Sequence, residues 1–172
     1  ESMLLYRIHG TNEHLNNGSV PYYKSASLEM EDLTLFIPLS GRDWAWPRMR
    51  EFLEEQTWPK EQIKLLMYDG SDDVAFGEEI REWLYQSDYP DVRYVKRKAS
   101  RAGLADMDRR KKDIQSEVTL EVGKIYNQMM RDVTTEFVWI LEDDVIPPRD
   151  VGLRLMKSFS SRVASVAAPY RQ

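Results

Sequence analysis

The sequence predicts an α/β fold: a Rossmann-like, mainly parallel sheet with helices on both faces. Three observations carry this. From Leu33 onward, short apolar runs alternate with stretches of helical periodicity. The periodic stretches are about 10–15 residues long, the length of a crossover helix joining parallel strands. The unusual polar residues fall directly after the apolar runs, where sheets of this kind hold their ligands.

The elements follow in order. Leu33-Thr34-Leu35-Phe36-Ile37, closed by Pro38, reads as a buried strand. Residues 46–56 put Met49, Phe52 and Leu53 at helical spacing, and Pro47 suits a first helical turn. Ile63-Lys64-Leu65-Leu66-Met67-Tyr68 is a second strand, ending in the capping and turn residues Asp69-Gly70-Ser71-Asp72-Asp73. Residues 76–85 set Ile80, Trp83 and Leu84 on one helical face, and Val92-Arg93-Tyr94-Val95 is a short third strand. Residues 96–113 are dominated by Lys and Arg; they read as a solvated loop or as a lid over an anionic ligand. Residues 120–133 form a helix with Leu120, Ile125, Met129 and Val133 apolar. Phe137-Val138-Trp139-Ile140-Leu141 is the most apolar strand and runs straight into Glu142-Asp143-Asp144. A helix over 150–159 and a strand over 163–168 complete the pattern. Residues 1–32 are polar and broken by Gly10, Gly18 and Pro21, so the expected division is an arm or the tail of a preceding module over 1–32 and one α/β domain over 33–172.

Composition narrows the function classes. At 172 residues, 42% hydrophobic and 11% aromatic, the chain can bury a core, which excludes global disorder. A net charge of -5 argues against a dedicated nucleic-acid binder. With no Cys there is no disulfide framework and no thiolate metal site, which fits a cytoplasmic location. No apolar run approaches the roughly 20 residues that span a bilayer, so no transmembrane segment is expected. The chain opens on Glu1 and shows no signal peptide, while Asn17-Gly18-Ser19 matches a glycosylation sequon.

Three clusters carry the chemistry. If the backbone stays extended past the apolar strand, Glu142 and Asp144 share one face and Asp143 takes the other. Paired acids repel, and a hard divalent cation (Mg2+ or Mn2+) relieves them while drawing further ligands from a substrate diphosphate. The plainer reading is a solvated turn leading into the helix near Asp150. Asp69, at the end of the second strand, suits a base or ribose hydroxyl, with Ser71 beside it and Gly70 permitting a tight turn. The plainer reading of the turn Asp69-Gly70-Ser71-Asp72-Asp73 is an N-cap for the helix before Phe76. The loop Pro38-Leu39-Ser40-Gly41-Arg42 is small enough to admit a nucleoside, with Arg42 able to meet a base or phosphate, or it is an ordinary strand-to-helix loop.

In this order, the three segments resemble the family 2 glycosyltransferases of the GT-A fold. The resemblance rests on Ile37-Pro38-Leu39-Ser40-Gly41-Arg42, on Asp69-Gly70-Ser71, and on Glu142-Asp143-Asp144 before Pro147-Pro148, in the place of the DxD motif. It implies a nucleotide-sugar donor, with a UDP-sugar expected, and transfer to a saccharide or other hydroxyl acceptor with inversion. Glu142 and Asp144 would hold Mn2+ or Mg2+. Pro38, Ser40, Arg42, Asp69, Ser71 and Asp143 would line the donor, and Lys124 and Asn127 would approach it from the preceding helix. Glu in the first DxD position and Tyr68, where many members carry an acid, depart from the pattern. The general base and acceptor site are expected in a further half of the domain beyond Gln172, so no catalytic base is assigned. Tyr6-Arg7-Ile8-His9-Gly10-Thr11-Asn12 resembles a stretch near the end of some family 2 catalytic domains, where the His lies near metal and diphosphate. The alternatives are a non-catalytic nucleotide- or metal-binding remnant and a nucleotidyltransferase on a similar sheet.

Overall fold

The structure, a computed structural model, describes residues 2–7, 32–97, 112–159 and 165–169. The basic segment 98–111, His9, His14 and the sequon at Asn17 lie outside the described residues. One six-stranded sheet organises the rest. Its strands are β1 (Ser2–Arg7), β2 (Leu33–Leu39), β3 (Ile63–Asp69), β4 (Asp91–Lys96), β5 (Phe137–Ile140) and β6 (Ser165–Pro169), in the order β4-β3-β2-β5-β1-β6. The four strands β4, β3, β2 and β5 run parallel, while β1 pairs antiparallel with both β5 and β6. The helices are α1 (Trp46–Glu55), α2 (Val74–Gln86), α3 (Lys112–Asp132) and α4 (Val151–Lys157).

Side-chain alternation sorts the apolar residues of β2, β3 and β5 into two cores. On one face, Leu33, Leu35 and Ile37 of β2, Leu65 and Met67 of β3 and Phe137 and Trp139 of β5 pack with the buried faces of α1, α2 and α4. On the other, Phe36, Leu66, Tyr68, Val138 and Ile140 meet Met129 of α3 and Val133 just after it. Edge-to-face ring pairs fix the orientation of the larger groups. Trp46 stands against Trp83 with centroids 5.4 Å apart, and Phe52 against Trp139 at 5.9 Å. Both faces of β2, β3 and β5 are therefore buried, which is why these strands read as continuous apolar runs.

Local chemistry sets the boundaries. Asp73 caps α2, its carboxylate accepting from the Phe76 N–H at 3.1 Å. β2 runs through Pro38 to Leu39, although the sequence suggests that it closes at the proline. The Leu141 N–H donates to the Phe36 carbonyl at 3.0 Å, and the paired register of β2 with β5 ends at Phe36. The missing N–H of Pro38 thus falls on a side where that ladder has already stopped. On the β3 side the ladder runs on, with the Gly70 N–H donating to the Leu39 carbonyl at 2.9 Å. α3 begins about two turns earlier than apolar periodicity marks, because residues 114–124 of it are largely solvated. β1 falls in the segment that reads as irregular. Its apolar run, Met3-Leu4-Leu5-Tyr6, is too short to stand out beside the polar residues that follow.

Leu35 is fully buried at the centre of β2, between β3 and β5. Leu35→Ala is expected to lower stability by about 2–5 kcal/mol. Urea unfolding reads this as a lower midpoint at unchanged slope. A loss under about 1 kcal/mol would contradict the close packing described.

Candidate functional site

The carboxyl ends of β2, β3, β4 and β5 lie on one rim of the sheet, and the loops that leave them meet there. After β5 the chain turns instead of staying extended, with the Val145 N–H donating to the Glu142 carbonyl at 3.1 Å. Strand alternation therefore does not govern the acid triplet, and each acid has its own surroundings. Asp143 is 4% exposed. Its Oδ2 accepts from the Ser40 N–H at 2.7 Å and the Ser40 hydroxyl at 2.9 Å, and its Oδ1 from Arg42 Nη1 at 2.6 Å. The other end of the same guanidinium, Nη2, lies 3.4 Å from Asp144 Oδ2. Glu142 accepts from the Tyr126 hydroxyl of α3 at 3.2 Å.

A second buried carboxylate anchors the end of β3. Asp69 is fully buried. Oδ1 accepts from the Ser71 N–H at 2.8 Å and the Ser71 hydroxyl at 2.6 Å. Oδ2 accepts from Lys96 Nζ at 2.7 Å and from the Tyr94 hydroxyl. Burial alone pushes this carboxyl up, but the donors Lys96, Ser71 and Tyr94 outweigh it and hold its pKa below the ordinary value. Burial and the neighbouring Asp69 push Tyr94 the other way, so its phenol stays protonated and donates. Lys96 also reaches the Ser71 carbonyl at 2.7 Å, closing the turn on itself. All four acceptor positions of Asp69 are spent inside the protein. A direct contact to a base, as the resemblance implies, requires one of these bonds to open.

Gly41 joins the two anchored acids. It has φ +83°, in the left-handed region that favours glycine. A Cβ there would lie 2.9 Å from the Ser71 Cβ, so the loops after β2 and β3 pack against each other without room for a side chain. Gly77 on α2 is similarly tight: its Cβ would lie 2.8 Å from the Tyr94 hydroxyl and 3.0 Å from Asp69 Oδ2. Along the rim the order is therefore Lys96 and Tyr94, Asp69 and Ser71, Ser40 to Arg42, then Asp143 and Asp144.

The structure thus brings together Ser40, Arg42, Asp69, Ser71, Asp143 and Asp144, with Pro38 in the strand that delivers the central loop. Lys124 and Asn127 lie on exposed positions of α3. Lys124 pairs with Glu121 on its own helix, and among the described residues no hydrogen bond or ion pair joins either one to the rim. The contribution of α3 is Tyr126, which the sequence alone does not single out because a Tyr on an amphipathic helix reads as core; it also packs edge-on to Phe36 at 6.2 Å. Tyr94 and Lys96 read in sequence only as strand and as the start of a basic loop. The alternation of β4, which aims both at the same side as Asp69 of its neighbour, is the signal that points to them.

Among the described residues, no three His, Cys, Asp or Glu groups converge to hold an ion. The donor set nevertheless fits a hard cation that takes one or two carboxylates from the protein and completes its shell from a diphosphate and water. Asp144 and Glu142 are the carboxylates that would supply oxygen ligands, whereas Asp143 is occupied by Ser40 and Arg42.

No protein-family model matches the chain, and a comparison with curated proteins finds no similar sequence. Among solved structures, the chain is similar to the mannosyltransferase PcManGT from Pyrobaculum calidifontis, in complex with GDP-Man and Mn2+. The TM-score is 0.56 at 17% sequence identity, over 81% of this chain and 35% of that one. The likeness is one of fold: a mostly parallel, Rossmann-like α/β sheet flanked by helices. The chain spans about a third of the length of that protein. Among the described residues, no helix is long and apolar enough to cross a membrane.

The depressed pKa of Asp69 makes a signed prediction. Its bonds stabilise the fold fully above its unfolded pKa of about 4 and are lost as pH falls through the lower folded value. Between about pH 7 and 3, Asp69→Asn is expected to start less stable than wild type and to show a flatter decline, so the two converge in acid. Thermal midpoints measured across that range check this. A difference that stays constant with pH would remove Asp69 as the titrating group.

Proposed function

We propose that this chain is the nucleotide-sugar-binding part of a metal-dependent glycosyltransferase of the GT-A type, resembling family 2. One observation carries the reading. The loop Ser40-Gly41-Arg42 is clamped between a buried acid turn on β5 and a buried acid turn on β3, at the carboxyl rim of a parallel sheet. Ligands of such sheets sit at that rim. The fold shared with a mannosyltransferase that binds GDP-Man and Mn2+ supports it.

In this reading the donor lies across the rim, with its nucleoside over Gly41, Gly70 and Ser71 and its diphosphate toward Arg42 and Asp144. Gly70 lets a flat base approach the backbone. Lys96 and Tyr94 hold Asp69, and through it Ser71, in one geometry beside the base. Arg42 presents a planar fork of donors suited to phosphate oxygens. Asp144 and Glu142 would hold Mn2+ or Mg2+, which when bound supplies Lewis-acid stabilisation of the departing diphosphate. Asp143 orients Arg42 and Ser40 and stays away from the reacting atoms. An acceptor hydroxyl would then displace the nucleotide from the anomeric carbon in one step, with inversion: the new C–O bond forms as the bond to the diphosphate oxygen breaks, and the hydroxyl proton passes to a carboxylate base outside the donor-binding residues. The donor expected is a UDP-sugar, the acceptor a saccharide or another hydroxyl compound.

Calorimetry with UDP and with GDP, each with and without Mn2+, tests this reading. UDP is expected to bind at least about tenfold more tightly with the cation than without it. Asp144→Ala is expected to abolish that difference while leaving the thermal midpoint within a few degrees of wild type. Absence of nucleotide binding, or binding indifferent both to Mn2+ and to Asp144→Ala, would remove the proposal.

A further inference from the structure

Arg42 touches its two acids unequally. Nη1 sits 2.6 Å from Asp143 Oδ1, a short charge-assisted bond to a buried carboxylate. Nη2 stands 3.4 Å from Asp144 Oδ2, beyond the usual range of an N–H···O hydrogen bond, beside a carboxylate that is 20% exposed. One end of the guanidinium is fixed in the protein. The other stands at ion-pair distance from the partly buried Asp144. Asp143 cannot pull away in turn, because Ser40 holds its second oxygen with two donors.

We propose that Arg42 is a built-in counter-cation of the acid turn, so that a divalent cation is held tightly by Asp144 only after an anionic diphosphate draws the Nη2 end of Arg42 away. At Asp143 the negative charge is already balanced by its direct bond to Arg42. A metal would therefore be drawn to the charges of Asp144 and Glu142, and Arg42 stands beside the first of these as well. A divalent ion arriving alone faces a fixed positive charge at close range in a partly buried site, where such interactions are screened only weakly. A diphosphate supplies oxygens to both cations at once and turns their repulsion into a shared attraction. Cation and nucleotide are then coupled, and the coupling is reciprocal: each strengthens the binding of the other by the same factor. Arg42 thereby acts as a positioning residue that sets the order of assembly, and the rim does not sequester Mn2+ before the nucleotide arrives. This rests on the donor-site reading only where the nucleotide enters.

The test measures Mn2+ binding to the chain without nucleotide, from the loss of the free-ion electron paramagnetic resonance signal. Arg42→Gln removes the charge and keeps a polar side chain; it is expected to bind Mn2+ about tenfold more tightly than wild type. Arg42→Met repeats the measurement if the Gln variant does not fold. Arg42→Lys retains the charge and is expected to stay within about twofold of wild type. Adding Asp144→Asn to Arg42→Gln is expected to erase the gain, assigning it to this carboxylate. With UDP present, the enhancement of Mn2+ binding is expected to be smaller in Arg42→Gln than in wild type. Unchanged or weaker Mn2+ binding in the neutral variants overturns the proposal, as does equal tightening in Arg42→Lys. If UDP fails to bind any form, the donor reading falls while the Mn2+ comparison still decides the role of Arg42.

Discussion

A carboxylate that is only 4% exposed must find its donors inside the protein, and Asp143 takes its three from the loop that follows β2. That requirement fixes the geometry of the rim. Ser40 commits both its N–H and its hydroxyl, so the backbone of the loop cannot swing. Arg42 commits one end of its guanidinium and directs the other at Asp144. Leaving a buried acid with no partner costs several kcal/mol, so the clasp is both the support of the loop and the reason the turn after β5 faces it. Asp69 repeats the arrangement one strand away, with Ser71, Tyr94 and Lys96 as its donors. Gly41 fits between the two because it has no side chain to collide with Ser71.

The sheet makes these contacts possible. Four adjacent parallel strands end on one rim, and in-register pairing brings Leu39 beside Asp69 and Asp69 beside Lys96. Both faces of the central strands are covered, by α1, α2 and α4 on one side and by the end of α3 on the other. Rigid strands thus deliver polar loops to fixed places, which is the condition a binding site needs. A second tie runs from the far layer. Tyr68 and Arg93 meet Asp132 at the end of α3, and the Arg97 guanidinium lies over the Tyr68 ring, 5.8 Å from its centroid. These bonds hold α3, and with it Tyr126, against the sheet beside Glu142.

Much of this is legible in the sequence, for identifiable reasons. Strands buried on both faces, such as Phe137-Val138-Trp139-Ile140, are continuous apolar runs that no other element imitates at that length. Helices that cover them carry Trp46, Met49, Phe52 and Ile80, Trp83, Leu84 at helical spacing. The alternation of the two establishes the α/β class and puts the acid turns at strand ends. What is not legible depends on partners distant in the chain. Whether a carboxylate is spent inside the protein or turned outward is decided by residues about 100 positions away in the case of Asp143 and Ser40. The turn at Glu142–Val145 breaks the extended alternation expected for the triplet, and the roles of Tyr94, Lys96 and Tyr126 exist only once β4 and α3 are docked. β1 is hidden because its pairing with β5 and β6 joins residues from opposite ends of the chain, such as Arg7 with Phe137 and Ser2 with Pro169.

Division of labour within the acid triplet is central: Asp143 holds the loop, and Asp144 is the acid proposed to meet the cation. A crystal structure of the chain with UDP and Mn2+ addresses it most directly. The ion is expected within about 2.2 Å of an Asp144 oxygen, the diphosphate beside Arg42, and Asp143 still bonded to Ser40 and Arg42. Manganese bound to Asp143 with the Ser40 bonds broken, or nucleotide seated away from the carboxyl rim, would contradict it.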